Sequence, residues 1–227
     1  MTRKVSTLAL VSCMAALLAG ASMLHATSYS VSGQLWEGGT NGLVPPAGSA
    51  IYSTTPSAVF TVTNSSPTAL FNFYSPDDSN LTNFLTYGGD TLTFTSGAGT
   101  ANDNINNDLF EFQGTTTLTN GVYTFSHDDG LLLYLNGVLV VNAGGPTSEV
   151  PTTLCVGVTG CDYDISAQPA GESFQLLYAE VDGPPAALTA NLPLTGPNPV
   201  IPEPSSFLLL GTGLLTAAGA LRRKLFA

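Results

Sequence analysis

The stretch "GVYTFSHDDGLLLYLNGVLVV", residues Gly121–Val141, decides the fold. Its first half alternates, so that Tyr123 and Phe125 fall on one side of an extended chain. Its second half, Leu131–Val141, is apolar on both faces and is interrupted only by Asn136 and Gly137. Those two residues tolerate positive φ, which makes them the turn of a tight hairpin. Both strands of that hairpin are expected to be buried, at the centre of the domain.

Outward from this hairpin the same period of two recurs. Phe60 pairs with Val62, Phe71 with Phe73, Leu92 with Phe94 and Phe110 with Phe112, and Phe174, Leu176 and Tyr178 end the series. Gly, Pro, Asn and Asp separate the segments, as in an antiparallel β-sandwich or barrel, so the fold class is all-β. These side chains are expected to form the core, and Gly97–Asn107 reads as a polar loop. Few Lys or Glu and much Thr disfavour long helices. Residues 27–199 suit a single domain, since about 150 residues already bury some two thirds of their unfolded surface.

Charge is distributed unevenly. The basic residues are Arg3, Lys4, Arg222, Arg223 and Lys224, all at the two ends. The fifteen carboxylates from Glu37 to Asp182 therefore share a stretch that contains no Lys or Arg. Such a surface repels phosphate backbones, which excludes nucleic acid as a partner. Hard, oxygen-ligated cations are its natural counterparts. Cys155 and Cys161 are the two thiols of the mature region and read as a disulfide across a short loop in an oxidising compartment. Two buried free thiols are the alternative.

The ends read as addresses. Arg3 and Lys4 precede an apolar run from Leu8 to Leu24, the profile of a secretory signal over residues 1–26, with Ala21 and Ala26 as the candidate cleavage residues. At the other end, Pro202, Glu203 and Pro204 precede an apolar stretch, Phe207–Leu221, and then Arg222, Arg223 and Lys224. Pro204 breaks any upstream helix, and the cationic cluster favours retention on the cytoplasmic side. Fifteen residues approach but do not reach the roughly 20 of a full span, so the helix is a marginal, transient anchor in the inner membrane.

In order and spacing, residues 200–227 resemble the PEP-CTERM sorting signal. The resemblance implies processing by an exosortase in a Gram-negative bacterium that makes exopolysaccharide. It also implies a cell-surface or extracellular-matrix destination.

The middle of the chain resembles the β-barrel family of anthrax protective antigen, the PA-fourteen family, most clearly over 108–192. Gly121, Tyr123, Phe125, Asp128, Asp129, Gly130, Asn136, Gly137, Gly171, Tyr178 and Glu180 carry the match. Some members are lectins in which adjacent aspartates at the positions of Asp128 and Asp129 bind Ca²⁺, which then bridges sugar hydroxyls. The resemblance thus implies a Ca²⁺ site at Asp128 and Asp129, with Asn142, Asp162 and Asp164 as additional oxygen donors. The core strands are not expected to depend on the two aspartate side chains. Asp-Gly is also a common turn.

His127 is expected to be a solvated strand-end residue, and Asp77 and Asp78 read as loop charges. The region has no Gly-x-Ser-x-Gly elbow, no phosphate loop and no Lys or Arg to stabilise an oxyanion, so no enzyme is expected. The expectation is an exported, non-catalytic adhesin or carbohydrate-binding module associated with exopolysaccharide. A structural envelope or biofilm component without a ligand site is the alternative.

Overall fold

The computed structural model describes residues 29–38, 43–64, 71–168, 171–181 and 183–195. The signal segment, Cys13 and the tail with Pro202–Pro204 and Arg222–Lys224 lie outside the described residues. No helix among the described residues is long and apolar enough to cross a membrane.

The strands run in chain order β1 (Tyr29–Trp36), β2 (Ala58–Asn64), β3 (Phe71–Ser75), β4 (Thr91–Ser96), β5 (Asp108–Thr116), β6 (Gly121–Asp128) and β7 (Gly130–Leu135). They continue as β8 (Val138–Ala143), β9 (Val150–Val156), β10 (Tyr163–Ile165), β11 (Glu172–Glu180), β12 (Ala186–Ala190) and β13 (Leu194–Thr195). One six-residue helix, α1 (Leu81–Thr86), follows β3 and is capped by the Asn80 side chain, which accepts from the Asn83 N–H. The expected polar loop at 97–107 contains a short 3-10 turn, Ala98–Asn102.

Two sheets face each other. The larger has the order β4-β2-β1-β5-β11-β7-β8, and β13 pairs with the part of β5 that β1 leaves free. The smaller has the order β10-β9-β6-β12-β3. All pairings are antiparallel except β10 with β9. The fold is the all-β sandwich that the alternating aromatics imply.

Phe60, Phe71, Phe73, Phe110, Phe112, Phe125 and Tyr178 are fully buried between the sheets, with Leu92 and Phe94 packed at the margin. Phe112 is the hub: its ring lies 5.2 Å from that of Phe73 and 5.5 Å from that of Phe71, both from the opposite sheet, and 6.1 Å from Phe60. A smaller cluster of Trp36, Leu109, Leu132, Tyr134 and Leu177 lies on the outer face of the larger sheet. The segment around Val44–Thr54 covers it, and its Ala47 N–H donates to the Tyr134 hydroxyl.

Gly33, between Phe60 on β2 and Phe112 on β5, has the Phe60 ring over it. A Cβ built there would lie 2.1 Å from Phe60 Cε2. Gly33→Ala is therefore expected to cost about 1–3 kcal/mol of stability. An unchanged urea midpoint would show that the ring gives way freely.

The Asn136–Gly137 turn is present, with φ of 49° and 78°. The expectation that it joins two buried strands holds for β7 alone. β7 is buried at every position because β11 and β8 flank it, the core lies beneath Leu131, Leu133 and Leu135, and the 44–54 cover lies over Leu132 and Tyr134. β8 is the edge strand, and its Val138 and Leu139 are exposed. Cys155 and Cys161 form the expected disulfide, with Cα atoms 5.5 Å apart.

A candidate cation-binding corner

The chain crosses between the sheets where β6 ends and β7 begins, at Asp128–Asp129. The peptide bond joining the two aspartates is cis. Two further crossings lie at the same end of the sandwich. The loop after β3 carries Asp77 and Asp78, and the connection from β11 to β12 follows Glu180.

Asp129 is fixed by the backbone on several sides. Its Oδ1 accepts the Thr147 N–H at 3.0 Å and its Oδ2 accepts the Val181 N–H at 2.8 Å. Its own N–H donates to the Ala179 carbonyl. The Asp129 carboxylate thus ties the β8–β9 loop and the end of β11 to the turn, so it belongs to the fold as well as to any ligand site. The expectation that the core strands do not depend on the two aspartate side chains therefore does not extend to Asp129, which is bonded to the end of β11.

Asp128 is less engaged. Its carboxylate accepts the Glu149 N–H, and its carbonyl accepts the Tyr178 hydroxyl. Burial, and then the charge of Asp129, push its pKa up to about 6.

His127 is buried, not solvated. It follows Phe125 by two residues on β6 and therefore points the same way, inward. Its Nδ1 faces the Asp129 carbonyl and its Nε2 faces the Thr152 hydroxyl at 2.8 Å. Burial lowers its pKa, which keeps the ring neutral, so Nδ1–H donates to the carbonyl and Nε2 accepts from Thr152.

Two acids not expected at the site lie behind the turn. Asp78 is 1% exposed and Glu180 is fully buried. The Ala186 N–H donates to Asp78 Oδ1 at 2.8 Å, and Glu180 Oε2 lies 2.7 Å from the Tyr178 hydroxyl. Burial raises the pKa of both, that of Glu180 to about 9. In the absence of a bound cation a protonated Glu180 donates to the Tyr178 oxygen, which frees the single Tyr178 proton for the Asp128 carbonyl. Asp77–Asp78 was visible as a pair of acids, but nothing local distinguishes it from exposed loop charges.

Two of the other expected donors, Asp162 and Asp164, lie apart. Asp162 Oδ2 accepts the Thr153 N–H and hydroxyl, both at 2.8 Å, and these bonds hold its pKa low. Thr153 is three residues along β9 from Val150, the partner of His127, or about 10 Å at the usual strand rise. Asp164 accepts the N–H groups of Gly160 and Cys161 and closes the disulfide loop. Asn142 is on β8, where its carbonyl accepts the Tyr163 hydroxyl. With Ala143–Gly145 and Leu43–Pro46 it lines an open cleft of about 530 Å³. That cleft adjoins the turn: a Cβ on Gly130 would lie 2.8 Å from both the Gly144 carbonyl O and Val44 Cγ2.

Among the described residues, the one set of three His, Cys, Asp or Glu side chains with ligand atoms within 4.8 Å of one another is Cys155, Cys161 and Asp164. Its two sulfurs are joined as the disulfide, which leaves them no thiolate to offer a metal.

Residues 200–224 match the PEP-CTERM protein-sorting motif. No curated protein matches the chain. Thirteen solved chains match the structure, among them the PA14 domain of the MpAFP antifreeze protein. That structure is 19% identical, with 72% of this chain and 80% of the other covered and a TM-score of 0.48. The PA14 sugar-binding domain from an RTX adhesin is 17% identical over 71% of this chain and 86% of its own, with a TM-score of 0.45. A Candida glabrata epithelial adhesin A domain in complex with β-lactose is 10% identical, with coverages of 72% and 80% and a TM-score of 0.39.

Proposed function

We propose that the domain is a non-catalytic adhesin that binds glycans of the surrounding exopolysaccharide through a Ca²⁺ ion held at Asp128 and Asp129. The premise is the PEP-CTERM motif, which marks an exported, membrane-processed surface protein. An exosortase processes its tail on the way to the cell surface.

The observation that carries this reading is the inter-sheet corner itself. Two adjacent carboxylates are held there by backbone N–H groups beside an open cleft, in a region with no Lys or Arg to neutralise them. Ca²⁺ accepts six to eight oxygens in flexible geometry, so carboxylates, loop carbonyls and two sugar hydroxyls can complete one shell. Asn142 lines the cleft and is the side-chain amide best placed to select among sugars. Asp162 and Asp164 staple the β9–β10 loop in this reading and stay outside the ion's shell.

A glycan array probed with the purified chain, in Ca²⁺ and in chelator, tests the proposal. Calcium-dependent signal on at least one glycan class, reduced tenfold or more by Asp128→Asn, is the expected result. Absence of any calcium-dependent signal would overturn it and favour a structural envelope component.

A further inference from the structure

Behind the Asp128–Asp129 turn, two carboxylate oxygens are shut away from water with no hydrogen-bond partner: Asp78 Oδ2 and Glu180 Oε1. The two residues come from different sheets. Asp78 lies in the loop that leaves β3 of the smaller sheet, and Glu180 ends β11 of the larger. Both are held firmly. Asp78 Oδ1 is bonded by the Ala186 N–H, and its carbonyl accepts the Ile105 N–H at 3.1 Å, while Tyr178 holds Glu180 Oε2.

Of the charges around Glu180, that of Asp78 acts on it most strongly, ahead of Asp129 and Asp128. The acids whose charges act on Asp78 are Asp77, whose Oδ1 is bonded by Ser75 and Ser79, and Asp129. The one nearby histidine is neutral and committed to Asp129 and Thr152. No Lys or Arg occurs anywhere between Thr27 and Val200.

The corner therefore gathers four carboxyl groups, Asp78, Asp128, Asp129 and Glu180, with no cation from the chain itself. An ionised carboxylate buried without a partner costs several kcal/mol, on the order of the net stability of a domain, so each buried acid must either hold a proton or meet a cation. One divalent ion at the turn balances two of the four and does nothing for the two orphaned oxygens behind it.

We propose that Asp78 and Glu180 hold a divalent, oxygen-preferring cation of their own, of the Ca²⁺ class, enclosed between the two sheets and separate from the ion at the turn. Its remaining positions suit carbonyl oxygens and water. The carboxylates of this corner do not bring three ligand atoms within 4.8 Å of one another. Occupancy thus draws the Asp78 loop toward the end of β11 and clamps the sheets together at this end. The inference stands beside the glycan proposal and does not depend on sugar binding.

Isothermal titration of the purified chain with Ca²⁺, paired with thermal unfolding in Ca²⁺ and in chelator, tests it. Two ions per wild-type chain and a rise in Tm of several degrees with Ca²⁺ are expected. Asp78→Asn and Glu180→Gln should each bind one ion fewer and lose most of the rise in Tm. Asp128→Asn should lose the other ion and retain most of the rise.

A wild type that binds one ion or none, or an unchanged ion count in both interior variants, would overturn the proposal. So would variants that unfold at a higher temperature than wild type in chelator and show the same calcium response, since the acids would then simply carry protons. Should one variant fail to fold, the other supplies the same reading. A positive glycan array with one bound ion would sink only this inference, and two bound ions with a blank array would sink only the glycan proposal.

Discussion

Asp129→Ala is expected to remove about 2–6 kcal/mol of stability, a large share of what a domain of this size has. The substitution deprives two backbone donors, Thr147 N–H and Val181 N–H, of their acceptor. The Val181 donor is buried and the Thr147 donor partly so; each left without a partner costs up to about 1–3 kcal/mol, and domains of this size have only about 5–15 in total. Removal of a negative charge from an acidic corner offsets part of this loss. Asp128→Ala should behave differently, because its carboxylate accepts only the Glu149 N–H and its carbonyl, which holds Tyr178, survives the change. A shift of less than about 1 kcal/mol is expected there. Urea unfolding in chelator, which removes any contribution from bound cation, measures both. Equal midpoints for Asp129→Ala and wild type would mean that the two loops are held by something other than that carboxylate.

Phe112→Ala is expected to cost about 3–5 kcal/mol. The ring joins the sheets, since it belongs to β5 yet lies closest to Phe73 and Phe71 on β3, and it is fully buried. Its removal strands the faces of several rings at once, and a wall of aromatics cannot easily collapse into the gap. Leu139→Ala on the exposed edge strand is the control, at 41% exposure, and should change stability by no more than about 0.5 kcal/mol. A small loss for Phe112→Ala, comparable to that control, would show that the sandwich repacks around the missing ring.

The sandwich was legible in the chain because a period of two is a local signal, and Phe110/Phe112 or Phe71/Phe73 announce their faces without reference to any other strand. The hairpin turn was legible for the same reason, through Asn136 and Gly137. What local pattern cannot convey is which strand has a neighbour. Val138–Val141 has the composition of a buried strand, yet sheet order leaves β8 at the edge. His127 was within reach, since the parity that turns Phe125 inward also turns His127 inward. The acidic corner was legible only at Asp128–Asp129. Asp78 and Glu180 meet it across 50 and 51 residues of chain, and that convergence depends on three inter-sheet crossings sharing one end. Asp162 and Asp164 illustrate the opposite case, in which acids in a promising loop spend their oxygens on N–H groups a few residues away.

The pairing of β13 with the last residues of β5 has a consequence for presentation. Leu194 and Thr195 lie against Thr116 and Thr115, while Glu180 lies against Asp108 at the other end of the same strand. Nine residues of β5 separate the two ends, about 27 Å at the usual rise. Tyr29, which opens β1, is at the β13 end as well. The described chain therefore enters and leaves at one end of the sandwich, and the acidic corner faces away from both of those points, a full strand length off.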